Sequence, residues 1–579
     1  MSEKLMLGNE AIARGAWEAG VNVVSSYPGT PSTEITECVA EYDEVYTEWA
    51  TNEKVALEVC CGASVAGARA MCCMKHVGVN VAADPLFTAA YTGVNGGLLI
   101  VCADDPGMHS SQNEQDSRFY ARSAHVAMLE PSDSRECRDF AKLAFEISEK
   151  FDTPVMLRIT TRIAHSRSMV DMKDRVEVPI KEYKKDAAKY VMMPAMAKPR
   201  HIAVEKRMEE LSQYVEECPV NRMTIKDGAI GVICSGISYQ YVREALPEAS
   251  ILKLGVVYPL PRKLIENFAS KVERLVVIEE LEPFMEDIIA AWGIPVEGVN
   301  LTGLQGELSV NKVKAAFGKE LPEILTPSPI PGRPPVMCAG CPHRGPFSVL
   351  SRLGYHVTGD IGCYTLGALK PLCALDTTLC MGASIGMAQG FFHARGEQFA
   401  QKTVAVIGDS TFLHSGVTSL ISAVYNQSNI TVIILDNTIT GMTGHQPNPN
   451  TGREIHGNPA PKIDLDALCR GCGVERVKTV DSFDLKGLEA ILKEETAYNG
   501  VSVIIARRPC ALLDKKRTAK PYRVDGDKCV GCGRCMKLSC PAISRVGRKV
   551  KIDPNQCVGC SLCFDTCSVG AIERTGDDK

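Results

Sequence analysis

The sequence has no long hydrophobic run, little tryptophan and almost no charge imbalance. No apolar stretch reaches the roughly 18 residues that a bilayer-spanning helix needs, which argues against a membrane protein. After Met1, the residues Ser2, Glu3, Lys4, Asn9, Glu10 and Arg14 interrupt any signal-like segment. A net charge of −5 over 579 residues provides no excess of basic charge for nucleic acid or an anionic membrane surface. With 45% hydrophobic and 23% charged residues, the composition is that of an ordinary globular protein, expected in the cytoplasm. The length exceeds one compact core and predicts roughly three to five domains.

What is abundant is cysteine, with 25 residues. In a reducing compartment these are not disulfides. Cys60–Cys61 and Cys72–Cys73 lie in Ala-rich, helix-like surroundings and read as small core residues. The last cysteines are patterned differently. Residues 529–541 read C-V-G-C-G-R-C-M-K-L-S-C-P, and residues 557–567 read C-V-G-C-S-L-C-F-D-T-C. This is the two-cluster ferredoxin frame, in which three closely spaced thiolates wrap one cubane and the remote cysteine completes the other. Cys529, Cys532, Cys535 and Cys567 are therefore expected to hold one 4Fe–4S cluster, and Cys540, Cys557, Cys560 and Cys563 a second. Two departures stand out. Four residues separate Cys535 from Cys540 where three are usual, and Ser568 follows the last cysteine where proline is common. Zinc also binds paired C-x-x-C units, but two triplet-plus-one repeats fit two cubanes far better.

Upstream, the β-branched run from Thr403 ends at Gly408-Asp409-Ser410, and a second run, Ile430–Leu435, ends at Asp436-Asn437. Oxygen-bearing side chains at neighbouring strand ends suit Mg²⁺ paired with a diphosphate. The G-D-S…D-N spacing resembles the motif of thiamine diphosphate enzymes, with Ser410 in place of the final glycine. Four further segments occur in order: Cys338-Ala-Gly-Cys341-Pro-His-Arg-Gly345, Gly359-Asp-Ile-Gly-Cys363, Gly382–Gly390 and Gly441–Gln446. Together they resemble the cofactor-diphosphate domain of the 2-oxoacid:ferredoxin oxidoreductases. The resemblance implies that Asp409, Asn437 and the Ile439 carbonyl bind Mg²⁺. It also places Gly408, Ser410, Gly382 and His343 at thiamine diphosphate, and a third, proximal 4Fe–4S cluster on Cys338, Cys341, Cys363 and Cys510.

The N-terminal half alternates helical stretches such as Gly8–Gly20 and Ser134–Lys150 with strands at Val21–Ser26, Gly97–Ala103 and Pro154–Thr160. That alternation predicts a doubly wound α/β domain. Tyr27-Pro-Gly-Thr-Pro-Ser resembles the Y-P-I-T-P-S turn of the same family and maps Thr30 onto a substrate-contacting threonine. Asn52-Glu53 matches the family's glutamate. Thiamine enzymes need a carboxylate on the aminopyrimidine ring so that the thiazolium carbon can lose its proton. Glu53 takes that role, with Glu48 and Glu58 as competitors that read as solvated helix charges. Arg122 aligns with an arginine that receives the 2-oxoacid carboxylate through its planar fork, and Arg118 is a nearby alternative.

The expected architecture is multidomain α/β. A pyrimidine-side domain (1–190) and a diphosphate-side domain (321–518) flank a middle α/β domain (191–320), and a two-cluster ferredoxin-like domain (519–579) follows. The segments 322–335 and 515–521 read as linkers. Across the whole chain the order resembles the alpha subunit of the indolepyruvate:ferredoxin oxidoreductase family. The resemblance implies an arylpyruvate, coenzyme A and ferredoxin as reactants and a smaller beta subunit as partner. The products would be an aryl-acetyl-CoA, CO₂ and reduced ferredoxin. Oxidation of pyruvate or 2-oxoglutarate is the same-fold alternative. A non-redox thiamine decarboxylase, or a cluster-bearing scaffold without thiamine chemistry, are the others.

Overall fold

The computed structural model describes residues 3–323, 332, 334–513 and 519–576, and both expected linkers fall largely outside them. The chain divides into two compact units, Met1–Thr326 and Pro327–Lys579.

The first unit is built on a seven-stranded sheet. Its order is Val256–Tyr258, Ala127–Leu129, Val155–Thr160, Leu98–Asp104, Ala70–Lys75, Val23–Ser26 and Tyr46–Trp49. All neighbours are parallel except the Val256–Tyr258 edge. Every residue of Ala70–Lys75, Leu98–Asp104 and Val155–Thr160 is buried, the burial expected of a parallel sheet covered on both faces. Side chains alternate between two apolar layers. Met71 and Cys73 enter one with Val24, Leu99 and Leu157, while Ala70, Cys72 and Met74 enter the other with Leu98 and Ile100. The Cys72–Cys73 pair is thus core, as expected, but it belongs to a strand and not to a helix. Alanine content misled the local reading, and parallel-sheet burial decides the outcome.

A second sheet in this unit orders Arg274–Ile278, Ile230–Cys234, Ser250–Lys253 and Arg222–Thr224. The chain leaves Ser250–Lys253 and enters the large sheet at Val256–Tyr258, which fastens the two together. Buried charges add to the fastening. Arg158 Nε donates to Asp104 Oδ2 at 2.6 Å, and its guanidinium also reaches Glu130. Arg118 grips Asp116 at 2.9 Å, Glu279 and the carbonyls of Glu280 and Glu282.

The second unit carries a five-stranded, all-parallel sheet ordered His356–Thr358, Thr403–Gly408, Ile430–Asp436, Val501–Arg507 and Arg476–Asp481. The C-terminal module pairs Tyr522–Val524 with Ile572–Arg574 and Ile543–Val546 with Lys549–Ile552, both antiparallel. Its small core, with Leu538, Ile552, Leu562 and Ile572, also takes in Phe483 from the parallel domain. Among the described residues no helix is long and apolar enough to cross a membrane.

Removing one partner of a buried ion pair strands the other charge and costs about 3–5 kcal/mol. Arg158→Met is therefore expected to destabilise the first unit by that amount, read as faster hydrogen exchange of the Leu98–Asp104 strand. Unchanged exchange would show that the network contributes no stability there.

Candidate functional site

The second unit brings its functional side chains to the carboxyl ends of adjacent strands, where parallel α/β sheets place ligands. Gly408 pairs with Leu435, so the next residues, Asp409 and Asp436, emerge side by side. Burial, and then the neighbouring Asp436 charge, push the Asp409 carboxyl up to about 7. Asn450 Nδ2 bridges the two carboxylates at 3.0 Å and 2.7 Å, and Arg507 Nε donates to Asp436 at 2.7 Å. The inward atom of the Asn437 amide stands 2.8 Å from the Ile439 carbonyl and 3.0 Å from Asp409 Oδ1. With nitrogen inward it donates to both. With oxygen inward, three oxygens converge on one point, an arrangement that a hard divalent cation stabilises. Asp409, Asn437 and Ile439 are thus brought together, and their donor set fits Mg²⁺.

The surrounding loop is tightly held. Ser410 accepts from Thr440 Oγ1 at 2.9 Å, and a Cβ on Gly408 would lie 2.6 Å from the Tyr364 ring. Gly382, at φ +85°, donates its N–H to Asp360, which also accepts from Ser384. Asp360 orients this turn although the sequence reading gave it no role. A Cβ on Gly386 or Gly390 would meet nothing, so no packing within the chain demands glycine there.

Four cysteines gather next to this strand end. Cys341 N–H donates to the Cys338 carbonyl at 3.1 Å, closing their turn. Burial and the nearby Cys510 and Cys338 thiols push Cys363 up to about 11, and Cys338 acts on Cys341 and Cys510 in the same direction. Cys510 N–H donates to the Asn437 carbonyl at 3.0 Å, which ties the cysteine set to the candidate cation site. His343 is buried and edge-on to Tyr364 with ring centroids 5.8 Å apart. Burial and Arg344 lower its pKa to about 4, so the imidazole is neutral at pH 7.

In the C-terminal module Cys529, Cys532, Cys535 and Cys567 line one cavity together with Val524, Val550 and Ile572. Burial, and then neighbouring thiols of the set Cys540, Cys557, Cys560 and Cys563, raise the thiol pKa values of Cys540, Cys560 and Cys563, the last to about 12. Backbone N–H groups of Tyr522 and Ala571 point at Cys557 and Cys567 sulfurs from 3.4 Å and 3.3 Å. The extra residue of the first repeat is absorbed at Ser539, which adopts φ +58°. Among the described residues no three His, Cys, Asp or Glu side chains converge as a single metal ion would require.

Arg344 joins the two cysteine regions. Its buried guanidinium donates to the Cys338 carbonyl at 3.0 Å, the Leu538 carbonyl at 2.8 Å and the carbonyls of Met337 and Ser539. It forms no ion pair among the described residues, and Cys540, Cys341, Cys338 and Cys560 surround it electrostatically. The motif containing it was quoted in the sequence, but its role comes only from tertiary packing.

In the first unit, Glu53 opens the Glu53–Val65 helix behind the Asn52 cap, whose side chain accepts from Val55 N–H at 2.9 Å. It is buried, and its side chain packs on Gly78, where a Cβ would stand 2.7 Å from Glu53 Cγ. Glu58 is exposed and paired with Lys54. Glu48 lies on the Tyr46–Trp49 strand, not on a helix, and accepts from Ser25 Oγ at 2.8 Å. The Thr30 carbonyl accepts from Ser110 Oγ at 3.4 Å. Arg122 is not brought to this turn. It is exposed on the Arg118–Ala124 helix and lines a cavity with Tyr258, Arg262 and Trp292. Arg118, the alternative, is fully buried and committed to its ion pairs.

Three family profiles match the chain in order. They are the thiamine diphosphate-binding domain of pyruvate flavodoxin/ferredoxin oxidoreductase over residues 14–218, the C-terminal TPP-binding domain of thiamine pyrophosphate enzymes over 360–506, and a 4Fe–4S dicluster domain over 521–568. They define an oxidoreductase that uses thiamine diphosphate and iron–sulfur clusters. The chain belongs to the family of the indolepyruvate oxidoreductase subunit IorA. The Archaeoglobus fulgidus member is 41% identical over 590 residues, covering 94% of this chain and 93% of that protein. The Pyrococcus abyssi protein is 42% identical (93% and 91% covered), and that of Methanothermobacter thermautotrophicus 40% identical (99% and 97%). Its activity is ferredoxin-linked oxidative decarboxylation of a 2-oxoacid, and a subunit of this kind works with a partner.

Arg344→Met leaves four carbonyls without their donor, two of them in buried contacts, at about 1–3 kcal/mol for each buried group left unsatisfied. The expected result is faster protease cleavage between the C-terminal module and the Cys338 loop. Equal cleavage rates would remove Arg344 as the fastening.

Proposed function

We propose that this chain is the thiamine- and cluster-bearing subunit of a cytoplasmic oxidoreductase. It converts arylpyruvates such as indolepyruvate, with coenzyme A, to aryl-acetyl-CoA and CO₂, and passes the electrons to ferredoxin. A smaller beta subunit completes the enzyme. The observation that carries the reading is the Asp409–Asn437–Ile439 oxygen triad, whose own backbone is hydrogen-bonded to Cys510. Asp409, Asn437 and the Ile439 carbonyl would hold Mg²⁺ and through it the cofactor diphosphate, with Gly408, Ser410, Gly382 and His343 shaping the pocket. When bound, thiamine diphosphate supplies a nucleophilic carbon that accepts the substrate's keto carbon.

The protein's part is positioning and charge. Glu53 offers a buried carboxylate to the aminopyrimidine ring, and Thr30 contacts the substrate. Cys338, Cys341, Cys363 and Cys510 form a set of four thiols that suits a third, proximal cluster, beside the two held by the C-terminal module. The Arg344 cation lies among these thiolates and those of the module, where it offsets their negative charge.

Substrate class is tested by anaerobic viologen reduction with the partner subunit present, across indolepyruvate, phenylpyruvate, pyruvate and 2-oxoglutarate. The proposal expects coenzyme A-dependent reduction favouring the aryl acids; preference for the small acids would reassign the substrate.

The cation site has its own test. Because the Asp409 carboxyl titrates near 7, it is protonated below that pH in the metal-free protein and a proton competes with the cation. Apparent Mg²⁺ affinity, measured by titrating cofactor binding, is expected to weaken about tenfold for each pH unit below 7. Affinity unchanged between pH 7 and 5 would exclude Asp409 as a ligand.

A further inference from the structure

The carboxyl end of the Ala70–Lys75 strand carries two polar side chains that no step above uses. Lys75 is 8% exposed, and its ammonium forms no ion pair among the described residues. It donates instead to the Ser110 carbonyl at 2.8 Å and to Ser110 Oγ at 3.2 Å. His76, 1% exposed, has both ring nitrogens without a hydrogen-bond partner. A buried imidazole left in this state is costly, because burial removes its water and nothing replaces it, and the Lys75 charge is met only by the neutral oxygens of Ser110. Burial accordingly lowers the pKa of Lys75 to about 8, which leaves it protonated at neutral pH.

The surroundings identify what would complete them. Gly29, in the turn that ends with Thr30, packs on the Lys75 side chain, with its Cβ position 3.2 Å from Lys75 Cβ. Two residues beyond His76, Gly78 lies directly against Glu53. Asp105, at the end of the neighbouring strand, accepts from Ser110 N–H at 2.8 Å and Ser111 Oγ at 2.6 Å, and so holds the exposed Ser110 turn over Lys75. Asp105 is itself engaged by Thr161 Oγ1 at 2.6 Å; it forms no ion pair with Lys75 among the described residues, although its charge favours the Lys75 ammonium. A buried cation beside the Thr30 turn and Gly78, beneath the exposed Ser110, suits a monoanion.

We infer that Lys75, with Ser110 above it, binds the carboxylate of the 2-oxoacid, and that Arg122 does not. Arg122 stands on the Arg118–Ala124 helix in a cavity that contains none of these groups. The inference rests on the 2-oxoacid reading above and names the group that recognises the acid.

The test uses the complete enzyme with its partner subunit and compares two inhibitors, an aryl-lactate and its amide, which differ only in the negative charge. The wild-type enzyme is expected to favour the aryl-lactate. Lys75→Met should lose that preference by about 10- to 100-fold, the range for one charged hydrogen bond. Lys75→Arg should retain part of it. Thiamine diphosphate affinity and the visible absorbance of the clusters report whether the variant is intact. A Lys75→Met enzyme that still favours the acid overturns the inference. Equal weakening of both inhibitors overturns it too, since that marks a structural strut. If the wild-type enzyme oxidises only small 2-oxoacids, the arylpyruvate reading fails by itself. The Lys75 test then proceeds with lactate and lactamide, with the same two outcomes.

Discussion

Two carboxylates emerging side by side from a parallel sheet cannot both stay buried and charged without positive partners. Asp436 has one in Arg507, and Asn450 spans the pair. Asp409 is left facing an amide and a carbonyl, with its carboxyl pushed up to about 7. The rest of the second unit is arranged around that unfinished charge balance. Tyr364 fills the space over Gly408, Asp360 fixes the Gly382 turn, and the Asn437 carbonyl takes the Cys510 N–H. From Cys510 the thiols lead to Cys338, and from Cys338 the Arg344 guanidinium leads to the carbonyls before Cys540. Hydrogen bonds thus tie Cys510 to the candidate cation site and the Cys338 loop to the C-terminal module, and the Cys338 and Cys510 thiols act on each other electrostatically between them.

The first unit applies the same rule of parallel sheets to a different purpose. Its buried charges divide into two kinds. Arg118 and Arg158 are paired with carboxylates and act as rivets between strands and the second sheet. Lys75 forms no ion pair among the described residues and meets only Ser110 oxygens, the His76 ring nitrogens have no hydrogen-bond partner, and both stand at the strand end beside Glu53 and the Thr30 turn. Both kinds are buried, so the distinction lies in whether a carboxylate is paired with the cation.

Much of this was legible in the sequence. The C-terminal cysteine spacing is a local code, and the structure brings Cys529, Cys532, Cys535 and Cys567 around one cavity. The strands ending at Gly408 and Asp436 were visible as β-branched runs, because buried parallel strands carry little else. The Ala70–Lys75 strand was not. Its alanine, methionine and cysteine residues have weak strand preference, so the segment read as helical and Lys75 at its end went unnoticed. Arg344 and Asp360 were hidden for a different reason. Their partners are backbone atoms, for Arg344 as far as 195 residues away, and backbone carbonyls and N–H groups leave no signature in sequence.

The central claim is that substrate electrons enter the clusters only through the cofactor held at Asp409. Rapid-freeze electron paramagnetic resonance of the oxidised enzyme with its partner subunit, mixed with indolepyruvate and coenzyme A, tests this directly. The account predicts reduced-cluster signals within one turnover when thiamine diphosphate and Mg²⁺ are bound, and none in cofactor-free enzyme or in Asp409→Ala. Reduction of the clusters without the cofactor would contradict it.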